Sequence, residues 1–214
     1  DQIVIHLEEA DADVYVITGD SILSIVKQFR QLIGRSYIPP KWAFGYQQSR
    51  WGYMNEKDIR EVVEKHRENH IPLESVYMDI DYMERFKDFT VNQERFPDFP
   101  EFVKEMKEQH IHLVPIIDAG VKVEEGYEVY EEGVEKGYFC KEKDGKEFVA
   151  GVWPGKVHFP DVLNKDARKW FGDKYQVLLD QGIEGFWNDM NEPSIFFAQD
   201  RMDETFDAIA ELKD

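Results

Sequence analysis

Short apolar stretches alternate along this chain with amphipathic helical patterns, and that alternation restricts it to a parallel sheet covered by helices. The apolar stretches run roughly over Trp42–Gln47, Ser75–Ile80, His112–Ile117 and Gly182–Trp187, and they close near residues 48, 80, 118 and 189. After Asn55, a capping residue with Asp58 three positions on, Ile59, Val62, Val63 and His66 recur at helical spacing. Phe102, Val103 and Met106 mark a second helix over Phe99–Gln109. Ala167, Trp170, Phe171 and Leu178 mark a third, Lys165–Gln181, behind Asn164. The first two strand-end spacings each fit one βα unit, whereas the third is about twice as long and predicts an insertion over 119–160. Within that insertion Asp144-Gly145, between Tyr138–Glu142 and Glu147–Val152, is a hairpin signal. The predicted fold is α/β: about four βα units, the first half of a (β/α)8 TIM barrel, with a small β-hairpin insertion after strand three. A whole barrel of this kind takes ~250 residues.

The two ends read differently. Ile3, Ile5 and Leu7, then Val14 and Val16, suggest two strands across a Glu8–Asp13 turn, so residues 1–18 are expected to be the tail of a β-domain. Asp20 or Ser21 caps a linker helix within 19–40 that carries Ile22, Ile25, Val26, Phe29, Leu32 and Ile33. Gly34 ends it, and Pro39-Pro40 stiffens the entry to 41–214, the partial barrel. A last amphipathic helix is expected over Asp203–Lys213. The first residues have no basic or long apolar leader, so the chain is expected to begin inside a longer protein.

Charge narrows the possible partners. With 44 acidic against 26 basic residues and a net charge of −18, the chain repels phosphate backbones and anionic lipid. Neither a nucleic-acid nor a membrane role is expected, and no apolar run reaches the ~20 residues of a membrane span. A single cysteine, Cys140, rules out an internal disulfide and suits a reducing, cytoplasmic setting.

Every strand after the first ends in acid: Asp79 and Asp81, then Asp118, then Asp189 with Glu192 close behind. In a parallel sheet these ends share one rim, where α/β enzymes place their chemistry. Carboxylates gathered there raise one another's proton affinity and need compensation. A hard metal site, a set of helix caps and a carbohydrate site with carboxylate catalysis would all use such residues. Trp51, Trp153 and Trp187 nearby are platforms better suited to sugar rings than to a hydrated ion, so no metal and no cofactor is expected. His66 and His70 sit four apart, and His110 and His112 straddle a strand start; structural roles are expected for all four. Asp189 suits a nucleophile. Glu192, turned by Pro193, is expected to support the loop, not to donate a proton.

Five ordered segments carry a resemblance. Trp187-Asn188-Asp189-Met190-Asn191-Glu192-Pro193 resembles the nucleophile signature of glycoside hydrolase family 31, the α-glucosidases and α-xylosidases. Pro39 to Gly45 resembles that family's entry to the first barrel strand, and Ser49-Arg50-Trp51-Gly52-Tyr53 its first βα loop. Met78 to Met83, followed by Phe86-Lys87-Asp88-Phe89-Thr90, resembles its second loop. Val152-Trp153-Pro154-Gly155 resembles the aromatic segment after the third-strand insertion. The likeness is strongest to gut-bacterial α-glucosidases of the family.

The resemblance implies a retaining glycoside hydrolase that removes terminal α-linked glucose from small oligosaccharides, with Asp189 forming a covalent glucosyl intermediate. Asp79 would bind hydroxyls of the glucose in the −1 subsite, with Ile80, Ile116, Trp153, Trp187 and Met190 as its walls. Trp51 would stand between the −1 and +1 subsites and influence linkage preference. Asp81, Asp118 and Glu192 would support the site. The family's acid/base Asp and its substrate-binding Arg and His come from barrel strands beyond the fourth, so the 214 residues alone are expected to be weakly active or inactive. An α-xylosidase, and a half barrel that only binds sugar or is purely structural, are the alternatives. Small α-glucosides are the expected partners, with a homodimer possible through an exposed half-barrel edge.

Overall fold

The spacing that begins at Ile22 forms helix α1, Ile22–Ile33, with Ser21 Oγ accepting a hydrogen bond from the Ser24 amide at 3.2 Å. Gly34, at φ 95°, ends it in a backbone region that side-chain-bearing residues avoid. A computed structural model describes residues 13–196 together with Val4 and His6. It divides into two units, 1–40 and 41–214. In the first unit Val14 and Val16 lie in chain without strand structure, against expectation. An extended segment becomes a strand only when a neighbour takes up its backbone groups. Ile3, Ile5 and Leu7, and the helix expected over Asp203–Lys213, lie outside the described residues.

The second unit holds a four-stranded parallel sheet in the order β1-β2-β3-β7, made of Gln47–Gln48, Ser75–Met78, His112–Asp118 and Trp187–Asp189. Helices α2 (Glu56–Glu68), α3 (Phe99–Glu108), α5 (Lys165–Lys174) and α6 (Gln176–Leu179) connect these strands. This is half of a (β/α)8 barrel. Asn55 caps α2 by accepting from the Asp58 amide, and Asn164 caps α5 by accepting from the Asp166 amide. Ile59 and Val63 of α2 and Phe102, Val103 and Met106 of α3 are buried with Val76, Met78 and Ile116 of the sheet in one core.

Several boundaries differ from the sequence reading. Lys41–Phe44 is a turn of 3₁₀ helix, not strand, and β1 is only Gln47–Gln48. Trp42 instead stacks on His112, ring centroids 4.3 Å apart and planes 12° apart. β2 stops at Met78 because the Asp79 carboxylate caps a 3₁₀ turn, Ile80–Tyr82, by accepting from the Ile80 amide at 2.8 Å. The long helix expected over Lys165–Gln181 breaks at Tyr175 into α5 and α6. Gly182, at φ 96°, turns the chain, and strand pairing resumes only at Trp187.

The insertion is richer than a hairpin. β4 (Val121–Lys122), β5 (Ala150–Val152) and β6 (Gly155–His158) form an antiparallel sheet in the order β4-β6-β5, and helix α4, Glu128–Lys136, precedes the hairpin. The tight β-turn lies at Trp153-Pro154, between β5 and β6. Around Asp144-Gly145 the chain makes one isolated bridge, Lys141 to Glu147, instead of two full arms.

Candidate active site

In a parallel ladder the strands finish together, and here three of them finish in carboxylates. Asp118, the last residue of β3, pairs directly with Asp189, the last residue of β7. Asp79 follows immediately after β2. Burial, with the negative charges of Asp81 and Asp189, raises the Asp79 carboxyl above its ordinary range, against the Ile80 amide, which lowers it. Asp118 is only 3% exposed. Burial first, then the charges of Asp189 and Asp79, push it up to about 7. The rim therefore carries fewer negative charges at neutral pH than its three aspartates suggest.

Asp81 is buried and turned aside: Arg95 Nη1 lies 3.4 Å from its carboxylate and 2.9 Å from its backbone carbonyl. Glu192 stands exposed. Met190 follows Asp189 at φ 59°, a left-handed conformation uphill for a residue with a side chain. That bend turns the chain away from the strand, and the Ser194 amide closes it by donating to the Met190 carbonyl at 3.0 Å. The Phe196 amide then donates to the Gly151 carbonyl of β5 at 3.0 Å, tying the loop to the insertion sheet. The Met190 side chain packs against Ala150, Val152, Val157 and Phe159.

The aromatic residues divide between two places. Trp51, 47% exposed, lies 5.4 Å from Trp153, and Trp153 meets Phe196 edge-on at 4.8 Å. Trp187 instead packs near Tyr77 at 6.0 Å. Ile80 and Ile116 belong to the buried core. A cavity of about 310 Å³ opens behind the strand ends, where Asp118 and Asp189 meet Cys140, Phe159 and Tyr175. No sequence pattern pointed to it, because its lining comes from β3, β7, the insertion and α5 together.

Sequence reasoning also passed over the groups that fix the end of β3. The Tyr82 hydroxyl donates to the Ile116 carbonyl at 2.8 Å, and Asp88 accepts from the Asp118 amide at 3.1 Å. The Tyr127 hydroxyl donates to the Asp88 carbonyl at 2.8 Å. Of the histidines, His66 Nδ1 contacts the Val62 carbonyl, and His112 Nδ1 contacts Glu184 at 2.8 Å.

The family model described as "Glycosyl hydrolases family 31 TIM-barrel domain" matches residues 36–212. The chain is 43% identical over 203 residues to an "Alpha-glucosidase 2" of Bacillus thermoamyloliquefaciens, covering 95% of this chain and 26% of that protein. It is 38% identical over 187 residues to "Alpha-xylosidase 1" of Arabidopsis thaliana, covering 86% of this chain and 20% of that protein. A crystal structure of a family 31 alpha-glucosidase from Bacteroides thetaiotaomicron superposes with a TM-score of 0.75 at 35% identity, covering 85% of this chain and 31% of that one. The chain thus spans about a quarter of the length of the curated relatives it matches, 26% of the Bacillus enzyme and 20% of the Arabidopsis one.

Proposed function

The chain belongs to glycosyl hydrolase family 31, and from that premise we propose that it forms the nucleophile-bearing half of the catalytic barrel of a retaining α-glucosidase. Asp189 is the nucleophile. Its carboxylate attacks the anomeric carbon, the bond from that carbon to the leaving oxygen breaks, and the leaving oxygen takes a proton from an acid. Water then displaces the carboxylate and releases the sugar with its configuration retained. The observation that carries this reading is the direct pairing of Asp118 with Asp189 at the strand ends, inside the segment the family matches.

Asp79 binds hydroxyls of the sugar, held in place by the Ile80 amide. Trp51 and Trp153 form the aromatic side of the entrance, where Trp51 bears on linkage preference. Trp187, Met190, Ile80 and Ile116 shape the walls. Asp118, its carboxyl pushed up to about 7, supports Asp189 with less than a full charge beside it at neutral pH. The substrate is a small α-glucoside. An α-xyloside is the second reading, favoured by the 38% identity to the Arabidopsis enzyme.

In the complete protein, Asp189→Ala is expected to lower hydrolysis of a chromogenic α-glucoside by roughly 10⁴-fold or more. A cyclitol epoxide that traps glycosidase nucleophiles is expected to label Asp189, located by peptide mass. Undiminished turnover in the variant would refute the assignment.

A further inference from the structure

β2 ends two residues too early to serve its neighbour. Pairing between β2 and β3 runs from Ser75 with His112 to Met78 with Pro115, and the His112 amide bonds toward β2, to the Glu74 carbonyl. Backbone groups of a strand alternate between its two sides, so those of Ile116 and Asp118 also face β2. There the strand has already turned into the Ile80–Tyr82 helix turn. Two buried backbone groups, the Ile116 carbonyl and the Asp118 amide, need other partners. The Tyr82 hydroxyl takes the first at 2.8 Å and the Asp88 carboxyl takes the second at 3.1 Å.

We propose that Asp88 is a positioning residue for the reaction centred on Asp189: its carboxyl stands in for a β2 carbonyl, fixes the end of β3, and thereby holds Asp118 in line with Asp189. The proposal rests on the family 31 reading given above.

Three observations support it. Asp88 is 1% exposed, and its second oxygen, Oδ2, has no hydrogen-bond partner among the described residues, so the side chain is placed for one bond alone. The loop that carries it is uphill in backbone energy: Arg85, Phe86 and Phe89 have φ of 50°, 60° and 61°. Such conformations persist where surrounding contacts over-determine them, and they collect at functional sites. The Tyr127 hydroxyl supplies one such contact at the Asp88 carbonyl. The neighbouring cation does not neutralise Asp88, since Lys87 Nζ lies 3.1 Å from Glu124. Burial raises the Asp88 carboxyl well above its usual range, with the Asp118 charge adding to the effect and the Asp118 amide opposing it, so burial works against the charged form. A permanent charge there would oppose the nucleophile.

An acceptor oxygen and a fixed length make separable demands on substitution. In the complete protein, Asp88→Ala is expected to lower kcat by about tenfold or more while KM moves less than about threefold, because misplacing a reacting group by ~1 Å can cost ~10²-fold. Labelling of Asp189 by the cyclitol epoxide is expected to slow in parallel. Asp88→Asn keeps the acceptor and the length, and is expected to restore kcat to within about threefold of the native protein. Asp88→Glu keeps the acid but is one methylene longer, and is expected to lose activity as the alanine variant does. Should the alanine variant fail to fold, the Asn and Glu pair decides. Native kcat and labelling in Asp88→Ala overturn the proposal, as does an Asn variant impaired while Glu is active. If Asp189→Ala still turns over, the reading of the site falls and the positioning role falls with it. If Asp189→Ala is dead and Asp88→Ala is silent, only the positioning role is lost.

Discussion

Asp118 is a carboxyl group kept from water beside two others, and the fold bears a cost for it that depends on pH. Its folded-state value of about 7 stands above the ordinary 3.8. A raised acid stabilises the fold most below the unfolded value, and that contribution fades as pH climbs through the folded value. Asp118→Asn, which cannot ionise, is therefore expected to raise the melting temperature relative to the native protein at pH 8, by the equivalent of a few kcal/mol. The advantage should shrink to nothing near pH 4, and thermal melts at the two values check this. Asp79, Asp118 and Asp189 could be located without coordinates because each follows an apolar run, and such runs are legible. Asp88 could not. Its partner is the amide of Asp118, thirty positions along the chain, and the need for it arises only because β2 stops at Met78.

Helices whose polar faces are plainly polar, such as α2 behind Asn55, were visible in the spacing of Ile59 and Val63. Helix α4 was not, because four of its nine residues are glutamate and its buried positions are only Val129 and Gly133. Gly133 is there for space: a Cβ at this position would come within 2.3 Å of the Phe139 ring and 2.9 Å of Trp170. Gly133→Ala is expected to destabilise the fold by about 1–3 kcal/mol through overpacking, despite alanine's better helix propensity. Urea unfolding would show it as a lower midpoint at unchanged slope. The other side of α4 is electrostatic. The Lys136 and Lys174 ammonium groups hold Glu132 down to about 2. A depressed acid stabilises above its unfolded value, so this contribution is lost only as pH falls from about 4.5 through about 2. The 3₁₀ turn Lys41–Phe44 reads as strand in the sequence for a related reason. Trp42 reads as apolar strand, but its ring is used for stacking on His112.

For the molecule as a whole, the parallel sheet has two edges, β1 and β7. Open edges invite pairing with another chain. The net charge of −18 works against that approach, and salt screens it. The 214-residue chain by itself is therefore expected to associate as protein concentration and ionic strength rise together, read as growing mass in sedimentation velocity. A single monomeric species from low to high salt would contradict this. The half-barrel architecture was legible because strand-to-strand spacing encodes βα units. The antiparallel β4-β6-β5 sheet was hidden because its turn is Trp153-Pro154, while the stronger turn signal lay at Asp144-Gly145.

The backbone bond from Phe196 to Gly151 makes the excursion after β3 part of the mooring of the loop behind Asp189, the proposed nucleophile. Anyone grafting a foreign excursion onto this scaffold to change its sugar would also be re-anchoring Asp189. A graft that keeps a carbonyl where Gly151 presents one could alter taste while sparing speed, whereas one that shifts it would blunt both.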